Sequence, residues 1–127
     1  MKGTMLMICL LVVTTGFGQT NTDVLKEYLG VLTLSEKYRD EANWDKEAQG
    51  TVQQHFVRLQ EMKKKGIVSL AGRTQYETSD PDMMGLVIFK AKNDEEARQF
   101  MQDDPAVKAK IMLAKVHPYA TAISKCE

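Results

Sequence analysis

The chain has 127 residues, the size of one domain, and its hydrophobic (43%) and charged (27%) fractions are those of an ordinary globular protein. These values argue against a disordered chain, a collagen-like repeat and a multispan membrane protein. Lys plus Arg and Asp plus Glu number 17 each, so the formal net charge is zero. Because nucleic-acid binders usually carry a basic surplus, we expect no nucleic-acid partner.

The first residues have the layout of a secretory signal peptide. Lys2 precedes an uncharged apolar run at 5–13, which is followed by small residues and a cleavage position before Gln19. A membrane anchor or a buried first helix is the alternative, but a bilayer span needs about 20 apolar residues. We therefore expect residues 1–18 to be removed and the mature protein to be exported, periplasmic or secreted, with no membrane attachment.

We expect no internal disulfide in the mature chain, because it would contain a single cysteine. Cys9 lies in the expected signal peptide, so Cys126 remains alone in a C-terminal tail, residues 121–127. We interpret Cys126 as a frayed tail residue, with a metal ligand or a reactive thiol as the alternatives. A domain without a bridge depends on its core or on a partner subunit for stability.

The first half of the mature chain predicts one strand and one helix. Residues 19–27 are a polar, flexible lead-in, and the β-branched, apolar stretch 28–34 predicts a strand. The charged stretch 35–45 predicts a surface loop, in which Trp44 either caps the core or lies across a cleft. Residues 51–65 predict a helix, because apolar side chains recur there at helical spacing before a terminating glycine.

The second half predicts three more strands and a second helix. Asn93 is a suitable N-cap for that helix, which the Asp104-Pro105 pair ends. The predicted elements are strands at 67–71, 85–91 and 111–116, a helix from 93 to about 102, and a short helical turn at 106–110.

The order of these elements predicts an α+β domain at residues 28–120 with a ferredoxin-like βαββαβ topology. Its antiparallel sheet would carry both helices on one face and leave the other face open and apolar. Soluble domains seldom tolerate such a face. We therefore expect a homodimer in which two sheets pack face to face.

His55 and Asp104 are the candidate catalytic residues. His55 lies on the predicted first helix at the edge of the apolar stripe, and Asp104 ends the second helix. The alternatives are a core histidine and a turn or capping aspartate, both of which are common. If the two helices lie side by side, the carboxylate can orient the imidazole and make it a general base.

Motifs for other chemistries are missing from the sequence. The two histidines, His55 and His117, have no carboxylate at paired helical spacing, and no CxxC, phosphate loop, GxGxxG or GxSxG motif is present. We therefore predict no metal site and no cofactor.

Four stretches together resemble the YciI-like (YCII-related) domain family: QQHFVRLQEMKKKG, IVSLAG, GLVIFKAKNDEEARQFMQDDPAVKAKI and VHPY. The resemblance covers roughly residues 28–119. It implies a ferredoxin-like domain that dimerises into an α/β barrel, with an active site made of the helix histidine and the aspartate of the Asp-Pro turn. Those residues correspond to His55 and Asp104.

This sequence departs from the family pattern at two positions. Arg73 replaces the proline that usually follows Ala-Gly, and Ala106 replaces an aromatic residue after Asp-Pro. Both changes suggest a roomier, more cationic cleft, in which Arg73, Gly72 and Tyr119 are candidate substrate-binding residues. The alternative for Arg73 is a solvated charge at a strand end.

Two hypotheses about function follow. The first is a small-molecule enzyme, an isomerase or lyase without a cofactor, in which Asp104 orients His55. His55 exchanges a proton with a small organic substrate, for which an anionic molecule is a candidate. The second is a non-catalytic, dimeric ligand-binding or interaction module in which His55 is structural.

Overall fold

The computed structural model describes residues 23–125, which form an α+β domain with a four-stranded sheet and three α-helices. The elements are β1 (Lys26–Leu34), α1 (Lys46–Lys64), β2 (Val68–Arg73), β3 (Gly85–Ala91), α2 (Asp94–Gln102), α3 (Pro105–Lys108) and β4 (Met112–Pro118). Two short 3₁₀ turns, Glu36–Arg39 and Glu41–Asn43, follow β1. The expected signal peptide and Cys126 lie outside the described residues.

The strands form one antiparallel sheet in the order β2-β3-β1-β4. The central strands β1 and β3 are the most apolar, as expected for strands with a neighbour on each side. The observed sheet and helices confirm the predicted α+β class and the antiparallel pairing.

One face of the sheet carries the helices and the main core. Side chains alternate between the two faces of a strand, so every second residue of β1 and β3 points towards the helices. Phe89 is completely buried there and stacks on the ring of Phe100 in α2 at a centroid distance of 4.4 Å. The core cluster joins side chains of the sheet and all three helices: Tyr28, Leu32, Leu59, Val68, Val87, Phe89, Ala91, Ala97, Met101 and Val107.

The opposite face of the sheet, here called the outer face, is apolar, and its central side chains are only partly buried. Its central side chains are Leu29, Val31, Leu86 and Ile88, which alternate with the buried residues along β1 and β3. On the edge strands, Leu70 and Leu113 are 53% and 55% exposed. Among residues 23–125, no helix packs on this face.

Helix α1 begins at Lys46, so the predicted start at residue 51 is wrong. Asp45 caps the helix, since its side chain accepts a hydrogen bond of 2.8 Å from the backbone N–H of Ala48. Gly50 lies in the second turn on the exposed side and does not interrupt the helix. The earlier start places Ala48 in a second, smaller core cluster with Leu34, against which Val52 also packs.

A β-bulge changes the direction of the side chains along β2. Val68 pairs with Phe89, but Leu70 pairs with Ile88, so Ser69 is the additional residue. Because side chains alternate, one extra residue sends every following side chain to the opposite face. The bulge therefore places Leu70 on the outer face and turns Arg73, which pairs with Gly85, towards the helices.

The predicted N-cap of α2 is confirmed, and Asp104 has the capping role that was the alternative to a catalytic one. The Asn93 side chain accepts a 2.8 Å hydrogen bond from the N–H of Glu96 at the start of α2. Asp104 caps α3, and Pro105 occupies the first turn, where its missing N–H costs nothing. Within residues 23–125, none of the helices has the length and apolar character needed to cross a bilayer.

A buried histidine–aspartate pair beside a cavity

Helix α1 carries His55 on the side that faces the sheet and α3. His55 lies between Val52 and Leu59 at helical spacing, and only 4% of its surface is exposed. The ring of Phe56 meets it edge to face at 5.2 Å. A ring buried to this extent needs a polar partner, because an unpaired buried donor or acceptor is costly.

Asp104 is fixed by backbone hydrogen bonds in the turn between α2 and α3. Its N–H donates to the carbonyl of Met101, and its Oδ1 accepts a bond of 2.9 Å from the N–H of Ala106. The residue is 1% exposed. The second carboxylate oxygen, Oδ2, remains free to bind another group.

The two predicted residues meet. His55 Nδ1 lies 2.8 Å from Asp104 Oδ2, although they are separated by 49 positions in the chain. An ionised carboxylate only accepts hydrogen bonds, so Nδ1–H donates and the neutral ring keeps its lone pair on Nε2. The pair therefore has the geometry of a histidine whose tautomer is held by an aspartate.

Asp104 stays ionised because its partners outweigh its burial. Desolvation raises the pKa of its carboxyl, while the hydrogen bond and charge attraction of His55, the N–H of Ala106 and the charge of Arg58 all lower it. The net effect holds the pKa of Asp104 below its usual value.

This lowered pKa predicts acid sensitivity of the fold. The contribution of Asp104 to stability is fully present above the pKa of the unfolded carboxyl, about 3.9, and is lost as pH falls through the lower folded pKa. We expect the free energy of unfolding, from urea titrations between about pH 5 and pH 2, to fall more steeply in the wild type than in Asp104→Asn. Glu27→Gln is the control. The pKa of Glu27 is also lowered, by a hydrogen bond from the N–H of Thr121, but this carboxyl lies at the surface and outside the pair. Equal slopes in the wild type and Asp104→Asn would contradict this assignment.

A cavity of about 960 Å³ opens beside His55, between α1 and the β2-β3-β1 part of the sheet. Its walls are mainly apolar, and among the lining residues the charged ones are Glu41, Lys63 and Arg73. Its volume is at the upper end for sites that take small organic molecules.

The imidazole edge away from Asp104 faces this cavity. His55 lines the cavity, whereas Asp104 does not. Within the described part of the chain, Nε2 has no hydrogen-bond partner, yet no buried side-chain nitrogen or oxygen lacks one. Nε2 must therefore keep accessible surface, and a molecule in the cavity can reach its lone pair.

Arg73 and Gly72 lie in the cavity wall, at the end formed by β2 and β3. Gly72 pairs with Leu86, an outer-face residue, so it contributes only backbone atoms to this wall. Trp44 combines both roles considered for it. It packs in the smaller core cluster, donates from Nε1 to the carbonyl of Tyr38 at 2.8 Å, and lines the cavity.

Tyr119 does not line the cavity. It follows β4, where its N–H donates to the carbonyl of Glu27, and it is 39% exposed. The structure therefore places His55, Gly72 and Arg73 in the wall of one cavity, with Asp104 bound to His55 behind it, and leaves Tyr119 apart from them. A substrate contact of Tyr119 stays a prediction.

Sequence reasoning missed Arg58, which also contacts Asp104. Its Nη1 lies 3.4 Å from Asp104 Oδ2, the oxygen that His55 binds. Arg58 follows His55 by three positions on a helix, so both side chains lie on one side of α1. That spacing is the signal that could have found it. Across residues 23–125, no group of three or more His, Cys, Asp and Glu side chains is placed to hold a metal ion.

The fold and the site define a small α+β domain in which an enclosed His–Asp pair adjoins an apolar cavity. The family model for the YCII-related domain matches residues 26–118. The chain belongs to the YCII-related domain family. Comparison with curated proteins gives no match. The family match covers every strand and helix described above and both residues of the pair.

Proposed function

We propose that the protein is a small-molecule enzyme in which His55 acts as general base and then general acid. The observation that carries this proposal is the hydrogen bond between His55 Nδ1 and Asp104 Oδ2, which leaves Nε2 on the cavity side of the ring. A carboxylate that holds the tautomer and stabilises the charged ring is the usual support for a histidine base.

The proposed reaction is an isomerisation or an elimination. Nε2 takes a proton from a carbon next to a carbonyl group, and the C–H electron pair moves into an enolate. In an isomerisation the imidazolium returns the proton to another carbon of the substrate. In an elimination the electron pair expels a leaving group from the neighbouring carbon. Neither reaction needs outside electrons or a covalent nucleophile, and Asp104 offsets the charge on the ring.

The substrate we propose is a small organic molecule that carries an anionic group. Apolar walls favour a hydrocarbon or ring system, and Arg73 at the β2-β3 end of the cavity can pair with a carboxylate.

The functional unit we propose is a homodimer built from two ferredoxin-like domains as a dimeric α/β barrel. Support comes from the outer face, where Leu29, Val31, Leu86 and Ile88 form a central apolar surface. Face-to-face packing of two such sheets would remove these side chains from water. We also propose export to the periplasm or the exterior, which the sequence of residues 1–18 supports.

The test is solvent deuterium exchange. The protein is incubated in heavy water with a panel of unsaturated lactones and small keto acids, and proton NMR follows the loss of C–H signals. We expect the wild type to exchange at least one panel member and His55→Gln to exchange it about 100-fold more slowly or worse. His117→Gln is the matched control, because His117 lies on β4 and does not line the cavity.

Equal exchange by the wild type and His55→Gln would contradict the proposal. The alternative is a ligand-binding module with a structural histidine, which the near-complete burial of both residues favours. That alternative predicts NMR shift changes on ligand addition without exchange, and lower stability as the main effect of His55→Gln.

A further inference from the structure

Arg58, on α1, contacts both Asp104 and the last turn of α2 beside the His–Asp pair. Nη1 lies 3.4 Å from Asp104 Oδ2, and Nη2 donates a hydrogen bond of 2.6 Å to the carbonyl of Phe100. The guanidinium carbon stands 4.4 Å from the centroid of the Phe100 ring, which stacks in turn on Phe89. The side chain is 17% exposed, so this cation is largely withdrawn from water.

The contact with Phe100 satisfies a backbone group that the helix leaves free. The last four carbonyls of an α-helix have no partner within it, and Phe100 lies in the last turn of α2. The N–H of Asp104 would reach the Phe100 carbonyl if the helix continued, but it donates to Met101 instead. Arg58 therefore binds both the end of α2 and the carboxylate that follows it.

His55 and Arg58 both contact the same carboxylate oxygen, Oδ2 of Asp104. With a neutral imidazole, the cluster of His55, Asp104 and Arg58 has no net charge. Protonation of the ring gives the cluster a net positive charge in a place where His55 and Asp104 are almost fully buried. Buried charge without a counter-charge is unfavourable.

We propose that Arg58 is a positioning residue that keeps the His55 ring neutral, with its Nε2 lone pair available, by balancing the charge of Asp104. Without Arg58, Asp104 would stand as an uncompensated anion beside the imidazole and favour the imidazolium. Arg58 is absent from the cavity wall, so it acts through Asp104 and His55. The role in turnover rests on the proposed function, whereas the effect on the ring does not.

Other charges near His55 are weaker influences. Lys63 of α1, Arg73 of β2 and Glu41 of the loop line the same cavity, and Lys108 of α3 pairs with Asp103 at 4.0 Å. Lys63, Arg73 and Glu41 are exposed residues, and the Lys108 side chain is 65% exposed. Solvent and salt screen such charges at the ionic strength of an ordinary buffer.

The experiment is an NMR titration of the imidazole ring of His55 in the wild type, Arg58→Gln and Arg58→Lys. Loss of the cation in Arg58→Gln should move the midpoint of ring protonation up by about one pH unit. Arg58→Lys keeps the charge but not the planar fork, and should restore at least half of this shift. His117, on the other face of the sheet, is the internal reference and should not move.

A structural role alone would lower thermal stability and leave the midpoint unchanged. A midpoint shift of less than about 0.3 units in Arg58→Gln, or equal shifts in the Gln and Lys variants, would overturn the proposal. If Arg58→Gln does not fold, Arg58→Met replaces it, because its apolar stem keeps the contact with Phe100. The titration needs no substrate, so a shift without deuterium exchange would reject the proposed function and retain this inference. Deuterium exchange without a midpoint shift in Arg58→Gln would retain the proposed function and overturn this inference.

Discussion

Replacement of Asp104 by alanine is expected to lower the free energy of unfolding by about 3–5 kcal/mol, as loss of one partner from a buried ion pair does. The variant leaves His55 Nδ1 without an acceptor and removes the counter-charge of Arg58. It also removes the cap of α3, because the N–H of Ala106 loses its carboxylate acceptor. Urea denaturation at neutral pH measures the change.

Asp104→Asn is the matched control. An asparagine keeps one oxygen, which can still cap α3 by accepting from the N–H of Ala106, while its amide nitrogen takes the place of Oδ2 beside His55. The cap is kept and the contact with His55 is changed, so about 1–3 kcal/mol should be lost. The difference between the two variants reports the cost of leaving buried groups unpaired. An unchanged or higher stability in Asp104→Ala would show that the pair is kept for function at the expense of stability.

Ile88→Glu is expected to convert the homodimer that we propose into a monomer. Ile88 lies in the middle of the outer face, between Leu29 of β1 and Leu70 of β2. In a face-to-face dimer the new carboxylates would be buried without partners and the dissociation constant would rise at least about 1000-fold, equivalent to about 4 kcal/mol. Size-exclusion chromatography with light scattering measures the mass of each variant.

Val57→Glu serves as the control for this variant. Val57 is also an exposed apolar residue, 43% accessible, but it lies on α1, away from the outer face. Val57→Glu should leave the proposed dimer intact. A monomeric wild type, or a dimer that survives Ile88→Glu and dissociates with Val57→Glu, would show that the outer face is not the interface.

The elements with strong local signals could be predicted from the sequence. β3 has the predicted bounds, 85–91, because its apolar run is continuous and begins at a glycine. The second helix starts after Asn93 as expected, since an N-cap and three acidic residues define its first turn. In both places the side chains that determine the bounds are neighbours in the chain.

The features that depend on distant contacts could not be predicted in this way. The bulge at Ser69 follows from how β2 aligns with β3, and nothing in IVSLAG alone specifies it. The 3₁₀ turns after β1 are too short to show a period. The first turn of α1 is polar, and its apolar contacts are made by Ala48, which packs with Ile111.

The candidate site was only partly accessible to sequence reasoning. His55 and Asp104 could be named individually, but each residue type has a common structural use at its position. Their 2.8 Å contact requires α1 to pack beside α3. The spacing of residues along the sequence does not predict a contact between side chains 49 positions apart. Arg58 was overlooked because a charged residue on a helix usually faces water, whereas this one reaches back to the carboxylate.

The bulge in β2 also bears on how copies of this chain can associate. A sheet edge with a regular row of free N–H and C=O groups can recruit further strands and grow into fibrils. β2 is such an edge, but the bulge at Ser69 breaks the regular row and Arg73 adds a charge at its end. The other edge, β4, carries Lys115 and ends in Pro118, which has no N–H to offer. Open-ended growth along the sheet is thus disfavoured at both sides.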